Sequence, residues 1–193
     1  MDAVSDRRAV VVIPERARGA ERPTPVWVLA VLGVLGSTVL LGACWVSGHM
    51  HADATLRTVA RFFHIAALAV GLGAVLAVDW LAVLWLTGRR GLSDVLNTAR
   101  ALQAPIWVGL AGLLVTGLFL RPNMESPLTV TKVGLVLAIT LNGLYAHWLG
   151  QRLAPYRGGA VPRRLLMQSA AAATVSQTGW WGATLIGFLN SQP

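Results

Sequence analysis

The sequence predicts an all-α integral membrane protein, and three observations carry that reading. Of the 193 residues, 55% are hydrophobic and only 12% charged, against about a quarter charged in an average soluble domain. Five charge-poor stretches run about as long as the roughly 20 residues that cross a bilayer as a helix. None alternates polar and apolar residues as barrel strands do, and open strands leave backbone groups unpaired in lipid. The expectation is five transmembrane helices, with helices two to five forming a four-helix transmembrane bundle.

Residues 1–26 carry five arginines and three prolines and lack the apolar content for a core. They are expected to form a disordered cytoplasmic tail, in which "RRAVVV" has no partner strand. The first helix covers 27–47 and ends in "VLLGACW". Leu41-Gly42-Ala43-Cys44 within it fits a lipoprotein-type signal, in which Cys44 would be lipidated and the preceding segment removed. The long tail and the spanning length favour an uncleaved helix. In both cases residues 57–190 stand as a four-helix unit. Cys44 is the only cysteine, so an internal disulfide and a Cys-based metal cluster are excluded.

The second helix lies between Arg61 and Arg89, and the third between Arg100 and Arg121. The fourth starts near Thr129, passes Lys132 and ends near Arg152. The fifth lies within 165–189. "GHMHADATLR" reads as an outer loop. "TGRRGLSDVLNTARALQAP" and "GQRLAPYRGGAVPRR" read as short inner connections, with Gly and Pro breakers and cationic ends facing anionic lipid.

The formal charge of +8 is topological rather than a nucleic-acid signal. Twelve of the sixteen Lys and Arg fall in the tail and the two inner connections. The positive-inside rule then puts the N-terminus in the cytoplasm and the C-terminus outside, in a bacterial inner membrane. The expected partners are the lipid bilayer and other membrane subunits or further copies of the chain, and not nucleic acid. The sequence holds no GxGxxG, P-loop or HExxH pattern, and no Ser-His-Asp set arranged for catalysis.

Ionisable groups inside a membrane are expensive and need a reason. "HIAALAVGLGAVLAVDW", residues 64–80, has His64 near one end and Asp79 near the other. Fifteen residues of helix span roughly 22 Å, so the two belong to different layers. The outer layer holds His64 and Lys132, with Arg61 and Arg121 near it. His49 and His51 reach it from the loop, where with Met50 and Asp53 they are candidate metal ligands or a solvated turn.

The face bearing His64 continues through Ala67, Gly71 and Val75. Such small residues admit a flat cofactor beside His64, whose imidazole can ligate haem iron while nearby cations neutralise propionates. They also suit close helix packing, and His64 and Lys132 can snorkel to the interface. The inner layer holds Asp79, Asn142 and Gln177, with His147 a turn nearer the cytoplasm. It reads as a hydrogen-bonded cluster orienting the helices, or as a proton path or polar substrate site. Trp180 and Trp181, in mid-helix five, are expected to pack within the bundle or to stack on a ligand.

Helices two and four match at an offset of 68 residues: His64 with Lys132, Asp79 with His147, Trp80 with Trp148. Helices three and five match at an offset of 70, Gly112 with Gly182 and Gly117 with Gly187. This pattern suggests a duplicated helical hairpin, related by an axis along the membrane normal.

"RFFHIAALAVGLGAVL", followed by "PLTVTKVGLVLAITLNGL", resembles the small four-helix bacterial membrane proteins of the CopD and HemJ type. In those a histidine early in one helix is followed two helices later by a lysine at similar depth. The resemblance covers residues 57–190 and implies haem b or copper held through His64 and Lys132. HemJ-type proteins are associated with protoporphyrinogen IX oxidation, and CopD-type proteins with copper handling. The functional expectation is a membrane protein that binds haem b or a metal in its outer half and acts in redox or cofactor and metal handling; as an enzyme it would be a membrane oxidoreductase. The alternatives are a small-solute or copper transport component and a non-catalytic subunit of a larger complex.

Overall fold

A computed structural model describes residues 23–120 and 123–190. Residues 1–22, which make up most of the expected tail and include "RRAVVV", lie outside the described residues, as does Arg121. The described chain is helical, in the order α1 (Val26–His49), α2 (Ala54–Leu86), α3 (Leu92–Phe119), α4 (Pro127–Leu153) and α5 (Arg163–Leu189), with a short 3-10 turn (Ala154–Tyr156) after α4. Four of them, α1 to α4, are long and apolar enough to cross a membrane. The 27 residues of α5 would extend roughly 40 Å, but Gln168, Ser169, Ser176 and Gln177 make it more polar.

The connections are shorter than expected, for local reasons. Asp53 accepts a hydrogen bond from Leu56 N at 2.7 Å, which satisfies a first-turn donor and starts α2 directly after residues 50–53. The expected inner connection before the third helix is mostly helix, because α3 already begins at Leu92. Asp94 accepts from Gly91 N at 3.3 Å. Leu92, Val95 and Leu96, one face of a helix, are buried. Pro105 sits within α3 without ending it.

The strongest packing joins α2 to α3 and α4 to α5, while α1 lies against α3 and α4. Glycines make the first two contacts close. A Cβ placed on Gly109 would stand 2.6 Å from Gly71 Cα, and one on Gly112 would stand 2.8 Å from Ala67 Cβ. On the other pair, a Cβ on Gly179 would meet Ile139 Cγ1 at 2.6 Å, and one on Gly182 would meet Leu135 Cδ1 at 2.9 Å. The partners correspond at the offsets read from the sequence: Gly71 with Ile139 and Ala67 with Leu135 at 68, Gly109 with Gly179 and Gly112 with Gly182 at 70. The relation extends outward, where Gly117 faces His64 and Gly187 faces Lys132.

Two apolar clusters fill the interior. Val75, Leu110, Ile139 and Trp180 form one in mid-chain depth. Leu92, Leu96, Leu149, Leu153 and Ala172 form the other, where the start of α3 meets the end of α4.

Candidate functional site

His64 lies on the α3-facing side of α2. Its Nδ1 is 2.8 Å from Thr116 Oγ1, and that hydroxyl is 2.6 Å from Gly112 O. A carbonyl only accepts, so the single hydroxyl proton goes to Gly112 and Thr116 Oγ1 accepts from His64 Nδ1–H. Neutral His64 therefore keeps its lone pair on Nε2. A ligating histidine is commonly held in this way, through the nitrogen that does not ligate.

A cavity of about 660 Å³ lies between the helices, and His64, Lys132 and Arg61 all line it. Its size falls inside the roughly 300–1,000 Å³ of small-molecule sites. Leu110, Ile139 and Trp180 close the inner end, and Trp180 is only 2% exposed. Leu40, Cys44 and Ser47 of α1 form one wall. The hydroxyl of Ser47, itself buried, donates to Leu118 O at 2.9 Å and ties α1 to α3. Among the described lining residues none is acidic. Gly187 leaves room for Lys132, whose Nζ would stand 3.4 Å from a Cβ at that position.

His64 and Lys132 thus share one cavity, but Gly71 does not open onto free space. A Cβ there would stand 2.7 Å from the Trp180 ring and 3.5 Å from Gly109 Cα, so side chain and backbone already occupy the face meant for a flat group. Trp180 packs in the core as expected; Trp181 is 54% exposed.

The loop histidines do not reach the cavity lining. Nδ1 of His49 lies 2.8 Å from Trp45 O, and its ring lies against that of Trp45 at 4.4 Å. His51 is exposed, and Asp53 is engaged as the cap of α2. Among the described residues no three His, Cys, Asp or Glu side chains are grouped to hold a metal ion.

The inner polar layer divides into three. Gln177 Nε2 donates to Asp79, and Trp181 Nε1 donates to Gln177 Oε1 at 2.9 Å, so α2 and α5 are joined. Asn142 turns instead to Ala172 O, at 2.9 Å. His147 turns to Gln103 of α3, with Nδ1 at 3.1 Å from Oε1, and to Gln151, with the two Nε2 atoms 3.0 Å apart. Gln151 in turn clasps Thr24, accepting from its N at 2.7 Å and donating to its Oγ1 at 3.0 Å. Sequence reading missed Thr116, Gln103 and Gln151, neutral residues whose roles depend on which helix lies opposite. Thr116 had a signal: it follows Gly112 by one turn, on the close-packing face.

No protein-family model, curated protein or solved structure matches this chain.

Proposed function

We propose that the chain is a five-span protein of the bacterial inner membrane that binds haem b in its outer half and serves redox or cofactor handling. In this reading α5 is the fifth span, packed along α4 through Gly179 and Gly182. Helices α2 to α5 form a bundle of two repeated hairpins. The positive-inside distribution sets the N-terminus in the cytoplasm.

The observation that carries the reading is His64: Thr116 holds Nδ1, and the ring lines the same cavity as Lys132 and Arg61. The donor set fits haem b, with one held imidazole, apolar walls and cations near one end. His64 would hold the haem iron through Nε2, the nitrogen not engaged by Thr116. Lys132 would be the second ligand or, with Arg61, would neutralise the propionates. Haem b, when bound, supplies a one-electron iron centre. Thr116 keeps the imidazole in the ligating tautomer, and Trp180 with Ile139 excludes water from the inner end. A copper site has less support, because His49 and His51 stand outside the cavity. The CopD- and HemJ-type resemblance read from the sequence would imply haem or copper through His64 and Lys132.

Purified from haem-replete cells, the full chain should show a Soret band that shifts on reduction and is lost in His64→Ala. A colourless, fully folded preparation overturns the proposal. A second reading, transport of a small solute, rests on the Asp79–Gln177–Trp181 chain. It predicts that Asp79→Asn abolishes solute flux while the protein still folds.

A further inference from the structure

The cavity walls are unequal. On the α1 side Ser47 is 2% exposed and Leu40 5%, and α1 seals the seam between α3 and α4. Among the described residues, no helix packs over the opposite seam, between α2 and α5. There Ile65 is 60% exposed and Phe188 61%, although both line the cavity. The Ile65 side chain thus borders the cavity on one side and faces outward on the other. Arg61, also exposed, stands one turn from Ile65 and lines the same space.

We propose that the seam between α2 and α5 is a lateral portal. Through it an amphipathic anion dissolved in the leaflet at the His64 end of the helices enters the cavity. The portal rests on the cavity being a ligand site, but not on iron. The chemistry of the lining selects the class. Leu68, Leu113, Val136 and Ile139 offer an apolar chamber, which favours an apolar body. Arg61 and Lys132 stand at the outer end, and no described residue of the lining is acidic. An anionic head meets both cations there, while its body extends toward Trp180. A zwitterionic two-chain lipid brings an unwanted positive charge and too much volume. A cation meets only like charge.

The test uses the full chain in phosphatidylcholine vesicles and a medium-chain fatty acid with a diazirine at its chain end. After irradiation, adducts are mapped by mass spectrometry. The expected result is labelling of Trp180 or Val136, reduced about tenfold or more when the methyl ester replaces the acid or when Lys132→Gln is combined with Arg61→Gln. Ile65→Trp, which narrows the portal, should lower that labelling. Val34→Trp, on a lipid-facing part of α1, should leave it unchanged. Adducts confined to lipid-facing residues overturn the proposal, as does equal labelling of the cavity by acid and ester. Undiminished cavity labelling in an Ile65→Trp protein of unaltered circular dichroism also overturns it. The optical spectrum is read separately, so a colourless protein that labels as expected loses the haem reading and keeps the portal.

Discussion

His64 on α2 and Thr116 on α3 are joined by a 2.8 Å hydrogen bond, and the further bond from Thr116 to Gly112 O sets its polarity. Removing the hydroxyl frees the ring to change tautomer and orientation. Thr116→Val should weaken haemin binding to the apoprotein by about 10–100-fold, while Thr116→Ser stays within a few-fold. Absorbance titration decides it; equal affinities for wild type and Thr116→Val would remove Thr116 from the site.

At Gly109 the backbones of α2 and α3 lie close, since a Cβ there would meet the Gly71 backbone at 2.6 Å. Backbone cannot step aside as a flexible side chain does. Gly109→Ala should cost about 1–3 kcal/mol, seen as a lower unfolding midpoint in detergent. Gly42→Ala is the control, because nothing lies within 4 Å of a Cβ at that position. Matching midpoints for the two variants would contradict the packing argument.

Gln177 bridges Asp79 and Trp181. Gln177→Leu leaves the Asp79 carboxyl and the indole N–H without that partner, at a cost of about 1–3 kcal/mol. Stability in detergent should drop while haemin affinity is retained, since the bridge lies outside the cavity lining. Loss of haemin binding in a folded Gln177→Leu protein would join the two layers that depth separates.

Ser47 ties α1 to Leu118, and Cys44 lines the cavity. If α1 is a resident wall, the mature protein retains the residues before Cys44 and carries no lipid on its thiol. Intact-mass spectrometry of protein extracted from membranes should find that species. A chain beginning at a lipidated Cys44 would show that the cavity is built without α1.

Much of the fold was legible because lipid imposes a simple rule: a charge-poor run of about 20 residues must satisfy its own backbone, and only a helix does so locally. Helix starts were less legible. Asp53 and Asp94 read as a loop ligand and a loop residue until the helices they cap were in place. Of the site, the pairing of His64 with Lys132 followed from depth along helices running in the same direction, which counting residues supplies. The expected inner cluster did not hold as one group, because depth carries no information about azimuth. Asn142 points to Ala172 and His147 to Gln103, each facing a different neighbour.

By itself the sequence determined that the chain is helical and suited to a membrane, and that His64 and Asp79 lie in separate layers. These follow from composition and from the 1.5 Å rise of a helix, both local quantities. Tertiary structure alone decided that Thr116 holds His64, that Trp180 takes the space beside Gly71, and that α1 packs across α3 and α4. Each depends on how helices are rotated and how near they pack, and glycines far apart in the chain set that distance.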